Sequence, residues 1–265
     1  METARPTQVL TASTTEEDTV EQKVFFLKSL GLYLLQLSSV FYFFCGTLLF
    51  SAIMPLGKRW KGLRPLCRPA FVWSAFRSFE RWLISTGQFI IDDRALRNAS
   101  NMRGTVVVAN HPGLLDAFFL LSRMDNTVCV MRSGLQRNPF FGGASREMGY
   151  ISNDAGHRFV REAERNLKEG RNLLLFPEGT RTLPGLSLNP FKKGFALAAI
   201  RSRAPVQCVF LRTSARYLGK GTSVLSRAPL PIHLHMEMGP VLTPAQGESA
   251  ADFSSRVEKV FRDAM

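Results

Sequence analysis

Between Ser29 and Gly57 the chain reads SLGLYLLQLSSVFYFFCGTLLFSAIMPLG, and no charged side chain interrupts it. A bilayer's hydrocarbon core of roughly 30 Å is crossed by about 20 apolar residues in a helix. The run is therefore long enough to span a membrane. It is equally long enough to enter and turn back, at Gly31 or Gly46. A cleaved signal peptide needs a basic start and an apolar stretch of about 7–15 residues. Here Glu16, Glu17, Asp18 and Glu21 come first, and no small-x-small cleavage site follows. An uncleaved membrane anchor fits the run. The competing reading is a buried helix of a soluble protein, and the length without charge and the aromatics Tyr33, Phe41, Tyr42, Phe43, Phe44 and Phe50 count against it.

The flanks divide the chain. Residues 1–22 are polar and rich in Thr, and are expected to be disordered. Lys58, Arg59, Lys61, Arg64 and Arg68 follow the apolar run. Basic residues stay on the cytoplasmic side and attract anionic headgroups, so the main domain is expected to face the cytoplasm, at the inner membrane in a bacterium. In a helix over 71–83, Val72, Phe76, Phe79, Trp82 and Leu83 share one face while Arg77 and Arg81 take the other. A helix on the membrane surface and a core helix both fit. Residues 23–87 thus read as anchor plus surface helix, and 88–265 as the catalytic domain.

From Phe89 onward, short apolar runs alternate with helical patterns. Strands are predicted at Thr105–Ala109, Val128–Met131, Asn172–Phe176, Pro205–Leu211 and His233–Met238. Helices are predicted at Leu114–Arg123, His157–Lys168, Phe195–Arg201 and Asp252–Ala264. Continuously apolar strands separated by helices define an α/β fold with a mostly parallel sheet covered on both faces. In such sheets ligands bind at the carboxyl ends of the strands.

The net charge of +13 asks for an anionic partner, whether phospholipid, acidic carrier protein or phosphorylated cofactor. Nucleic acid is not expected, since no RNA-binding motif or zinc-finger spacing appears. Cys45, Cys67, Cys129 and Cys208 are far apart and read as reduced thiols. His233 and His235 alternate in a predicted strand, but no third ligand completes a metal site. No serine-hydrolase elbow, P-loop or dinucleotide fingerprint is present.

Two strand ends carry chemistry. After the first strand comes Asn110–His111–Pro112–Gly113–Leu114–Leu115–Asp116. A neutral imidazole can take a hydroxyl proton while a carboxylate behind it fixes the tautomer. Residues five apart in one helix point in different directions. His111 is therefore expected before the helix, folded back by the Pro-Gly turn over Asp116 in its first turn. The strand Asn172–Phe176 runs into Pro177–Glu178–Gly179–Thr180–Arg181. Gly179, a hydroxyl and the Arg181 guanidinium suit an anionic ligand, and Glu178 is placed either to hold an acceptor hydroxyl or to orient Arg181. The alternative is an ordinary turn with a surface ion pair. Lys192 and Lys193 then open the next helix, as anion ligands or as a solvated helix end.

NHPGLLD resembles the H-x4-D signature of the glycerolphosphate and lysophosphatidic acid acyltransferases, and FPEGTR at 176–181 resembles that family's FPEG motif. Asn138–Pro139–Phe140–Phe141–Gly142, Gly149–Tyr150–Ile151 and Ala204–Pro205–Val206 resemble its intervening and later segments, so the similarity covers residues 88–240. It implies a membrane-associated α/β acyltransferase that uses acyl-CoA or an acyl carrier protein as donor, with no metal, no further cofactor and no covalent acyl-enzyme. It implies His111 as base, Asp116 as its partner, and Glu178 and Arg181 as acceptor-site residues. One departure stands out. The family's middle motif ends in an Arg, where this chain has Asn153 and Asp154. Arg132, Arg158 and Arg161 are the candidates to compensate, and Arg132 is also a candidate to stabilise an oxyanion. The expected reaction is acyl transfer to a lysolipid hydroxyl, with 1-acyl-glycerol-3-phosphate as the first acceptor. A lyso-aminolipid or polyene lipid acceptor, or thioester hydrolysis at the same site, are the alternatives.

Overall fold

The computed structural model describes residues 11–59, 69–138, 140–153, 156–223 and 225–265, with the side chains of 11–20, 54–59, 69 and 70 left aside. Lys58 and Arg59 are therefore seen only as backbone. Lys61, Arg64, Arg68, Cys67 and Asp154 lie outside the described residues.

Seven strands form one sheet in the order β1-β7-β6-β2-β5-β3-β4. They are β1 (Phe89–Asp92), β2 (Val106–Ala109), β3 (Thr127–Met131), β4 (Ile151–Ser152), β5 (Asn172–Leu175), β6 (Val206–Thr213) and β7 (Ile232–Leu242). Every pairing is parallel except β6 with β7. All four residues of β2 are fully buried, because both faces of the sheet are covered. Val107, Ala109 and Leu174 face a core shared with α2 (Pro69–Ser85) and α3 (Asp116–Leu121). Val106, Val108, Leu173 and Leu175 face a second core, built with α6 (His157–Lys168), α7 (Gly194–Ser202) and α8 (Ala250–Ala264). Burying each such Val or Leu stabilises the fold by roughly 1.5–3 kcal/mol. The short helices α4 (Ser133–Arg137) and α5 (Gly142–Glu147) lead into β4.

The N-terminal helix α1 runs unbroken from Thr11 to Arg59. It corrects the disorder expected for residues 11–22, residues 1–10 lying outside the described residues, and it decides between the two courses left open for the apolar run. The polar segment up to residue 22 is helical from Thr11, since extending an existing helix costs far less than nucleating one. The chain also does not turn back at Gly31 or Gly46. Residues Glu21–Ile53 of α1 are long and apolar enough to cross a membrane by length and composition. One side of α1 nevertheless lies on the domain. Gln36, Ser39 and Phe43 are buried, Ser51 donates to the Phe140 carbonyl at 3.2 Å, and a Cβ on Gly143 would stand 2.7 Å from the Ser51 Cα. The opposite side exposes Leu34, Phe41 and Leu49, and nearer the N-terminal end Phe25 and Phe26 are exposed as well.

α2 settles between the two readings of its sequence. Val72, Phe79 and Leu83 are core residues, while Phe71, Trp82 and Ile84 are exposed. Within this helix Glu80 is buried and pairs with Arg123, which also reaches Asp93 at 2.7 Å. The predicted helix from Leu114 starts only at Asp116, because the turn before it reaches that far. The boundary expected at residue 87/88 falls between α2 and β1.

Candidate active site

β2 and β5 are neighbours in the middle of the sheet, so the two motif loops leave side by side from their carboxyl ends. Asn110 anchors the first loop. It is buried, its amide donates to the Leu211 carbonyl and its oxygen accepts from the Leu211 N–H, both at 2.8 Å. The side chain thus continues the pairing of β2 with β6 for one more residue.

His111 comes next, and Asp116 opens α3 as expected. Nδ1 of His111 lies 2.8 Å from Oδ2 of Asp116. That same oxygen accepts the Gly113 N–H at 2.8 Å, which fixes the carboxylate from a second direction. The Asp116 side chain is 6% exposed and that of His111 is 17% exposed. With the carboxylate ionised, Nδ1 carries the proton and donates it, leaving Nε2 with a lone pair. The ring stacks on Phe176 with centroids 4.1 Å apart, which limits its rotation.

Glu178 takes a different place from the acceptor-binding one expected. It is 3% exposed. Its carboxylate accepts the His111 backbone N–H at 2.8 Å, the Thr182 hydroxyl at 2.9 and 3.0 Å, and the Asn189 N–H at 2.9 Å. Thr182 returns its own N–H to the His111 carbonyl at 2.8 Å. Glu178 therefore ties the second loop to the backbone of the base. It does not orient Arg181, which reaches elsewhere.

Three cations gather around the second loop. Gly179 has a φ of +66°, and a Cβ there would lie 2.8 Å from the Lys192 ammonium, so only glycine fits without displacing it. Arg132 donates to the Gly179 carbonyl through Nε at 3.0 Å and through Nη2. Arg181 donates to the carbonyls of Leu218 and Gly219 at 2.6 and 3.0 Å. Burial lowers the Arg181 pKa and the Asp116 charge opposes that shift; the guanidinium stays charged at neutral pH. Thr180 is half-buried in the same loop, and Lys193 is exposed at the start of α7. Of the candidates for the missing middle Arg, Arg132 is at the site. Arg158 is exposed and paired with Glu162 on α6, and Arg161 is exposed on the same helix.

Asn110, Phe176, Thr182 and Asn189 were not singled out as site residues from the sequence. For Asn110 the available signal was a polar residue ending a buried strand. For Thr182 it was a hydroxyl four residues after Glu178. His233 and His235 are exposed on one face of β7, between β1 and β6, where His235 meets Asp92 of β1 at 3.2 Å. His157 is exposed at the start of α6.

A parallel sheet with a His–Asp pair at one strand end and a basic loop at the next is an acyl-transfer architecture. Residues 90–212 match the model of the Acyltransferase family. The matched region holds both motif loops and is similar to the 1-acyl-sn-glycerol-3-phosphate acyltransferases. The chain is 26% identical to the Pseudomonas aeruginosa protein of that name over 90% of both chains. It is 38% identical to the lyso-ornithine lipid O-acyltransferase of Rhodobacter capsulatus over 32% of each. The crystal structure of the 1-acyl-sn-glycerophosphate acyltransferase PlsC from Thermotoga maritima superposes with a TM-score of 0.62 at 21% identity, over 90% of this chain and 95% of that one, and so shares its fold. The chain spans about half the length of several other curated relatives it matches, 49% for the enzyme of Helicobacter pylori.

Proposed function

We propose that this protein transfers a fatty acyl group from acyl-CoA or an acyl carrier protein to the free hydroxyl of a lysophospholipid, with 1-acyl-glycerol-3-phosphate as the preferred acceptor. The observation that carries this reading is the 2.8 Å pair between His111 Nδ1 and a buried Asp116, set beside the cations around Gly179. Nε2 of His111 takes the proton from the acceptor hydroxyl as its oxygen attacks the thioester carbonyl. Asp116 stabilises the imidazolium that forms. Collapse of the tetrahedral intermediate expels the thiolate, which recovers the proton from His111. Arg181, Arg132 and Lys192 hold the acceptor's phosphate, with Gly179 and Thr180 offering backbone and hydroxyl contacts and Lys193 adding charge at the rim. No metal or further cofactor has a role in this scheme.

The acyl chain has a place to go. A cavity of about 510 Å³ opens between α1 and α2, lined by Phe41, Gly46, Phe50, Val72, Trp82 and also by Phe118. Phe118 stands two residues after Asp116 in α3.

Membrane attachment follows from α1. Its docked face runs from Ser29 to Ser51, roughly 33 Å of helix, which equals the whole hydrocarbon thickness. Crossing would drag the polar domain surface into lipid. We therefore place α1 along one leaflet, its exposed Phe and Leu side chains in the acyl region. The basic residues 58–68 suit the anionic headgroups of a cytoplasmic leaflet, which is the side this reading assigns.

Asn153 and the Rhodobacter relative favour a second reading, a lyso-ornithine lipid acceptor. Purified protein given labelled acyl thioester and a panel of lysolipids separates these, with products identified by mass spectrometry. Labelled phosphatidic acid supports the first reading and acylated ornithine lipid the second. Free fatty acid released at the same rate without acceptor would mean a hydrolase and would sink both.

A further inference from the structure

The docked side of α1 carries a polar stripe, Ser29, Tyr33, Gln36 and Ser39, within the stretch of the helix that is mostly apolar. Gln36 is 2% exposed. Polar groups away from water need partners, and residues 217–228 supply those of the first three. Gln36 donates to the Ser226 carbonyl and accepts the Ala228 N–H at 3.0 Å, and Ser39, Val40 and Phe43 of α1 line one small cavity with Tyr217 and Leu218. Tyr33 donates to the Leu225 carbonyl at 3.0 Å. Arg227 lies 4.8 Å over the Tyr33 ring and reaches Ser29 Oγ at 3.2 Å.

The other end of this strap borders the active site. The Tyr217 carbonyl stands 3.1 Å from where a Cβ on Gly113 would be, against the catalytic turn. The carbonyls of Leu218 and Gly219 are the two that hold Arg181. Arg216 fastens the strap to the carbonyls of Leu183 and Leu186. Leu218 has a φ of +55°, a conformation a leucine keeps only where its surroundings impose it. Further along the same strap, Ser226 and Ala228 are held to α1 by Gln36.

We propose that Gln36 is a positioning residue for the acceptor: from the membrane helix it sets the strap, and the strap sets Arg181. The acceptor site is then complete only while α1 is docked. This rests on Arg181 binding the acceptor's anionic headgroup, as proposed above. A Gln36→Leu change keeps this stretch of the helix apolar and removes both hydrogen bonds. It should raise the acceptor KM about tenfold, the order expected from loosening one charge-assisted contact, and leave the thioester KM unchanged.

The test uses the full chain in lipid vesicles, with the lysolipid that the wild type turns over, 1-acyl-glycerol-3-phosphate or a lyso-ornithine lipid. Acceptor KM and thioester KM are measured for wild type, Gln36→Leu, Arg181→Ala and the double variant. Tyr33→Phe, which loses one hydroxyl, is included in case Gln36→Leu folds poorly. The proposal expects a rise confined to the acceptor KM, a two- to threefold rise in Tyr33→Phe (scaled down from the Gln36 effect), and no further rise when Gln36→Leu is added to Arg181→Ala. An unchanged acceptor KM in both single variants, equal rises for both substrates, or an undiminished effect in the Arg181→Ala background would each overturn it. A wild type without acyl transfer would instead overturn the functional reading, and this proposal with it.

Discussion

His111 is held on four sides: Asp116 at the ring nitrogen, Phe176 under the ring, Glu178 at its N–H and Thr182 at its carbonyl. Such convergence is what a positioned general base needs, because a small misplacement of the reacting groups costs orders of magnitude in rate. Glu178→Gln tests the support. The amide keeps the shape but sets an NH2 against donors that need an acceptor. Stability should fall by about 1–3 kcal/mol, and kcat by about tenfold with acceptor KM little changed, as read by thermal unfolding and steady-state kinetics. A wild-type kcat would show that the tie does not matter. The thiols give a second check at this scale. Burial raises the pKa of Cys129 and of Cys208 to about 12, so neither is a thiolate at pH 8. Cys45 is exposed. In detergent, a maleimide followed by peptide mass mapping should label Cys45 and spare Cys129 and Cys208 in the folded protein; equal labelling of all three would contradict the packing.

At the scale of elements, the sequence was most legible where structure is local. α6 runs from His157 to Lys168 as its amphipathic pattern predicts, and β2 and β5 fall within a residue of their apolar runs. The strand–turn–helix context of His111 and Asp116 was legible for the same reason, since Pro112, Gly113 and the start of α3 are neighbours in the chain. Elements too short for periodicity, such as β4 and α5, were not. Nor was the bond between Gln36 and Ser226, 190 residues apart, because a hydrophobic run says nothing about which of its faces will be covered. Glu178 was placed in the right loop but given the wrong neighbours, for its donors come from a turn that only folding brings beside it. The α1–α5 crossing includes a close approach of the same long-range kind, Gly143 against Ser51. Gly143→Val would drive a side chain into the Ser51 backbone. Overpacking of this kind costs about 1–3 kcal/mol, so the thermal midpoint should drop; an unchanged midpoint would mean that α1 is not held against α5.

On the scale of the whole molecule, the layers divide the work. The sheet brings two loops together, the α6–α7–α8 layer closes the far face, and α1 with α2 forms the face proposed to meet lipid. A lysolipid and its acylated product both partition into a bilayer, so an acceptor site next to a lipid-docked helix spares the substrate a passage through water. The +13 charge adds attraction for the same anionic surface. The central claim is that His111 performs acyl transfer in this setting. It is tested most directly by single-turnover formation of acylated product from labelled acyl thioester and lysolipid in vesicles, comparing wild type with His111→Ala after both are shown to melt cooperatively. A general base contributes about 10²–10⁴-fold, and the account predicts a loss of that size with thioester binding retained. A folded His111→Ala protein that forms product at the wild-type rate would contradict it.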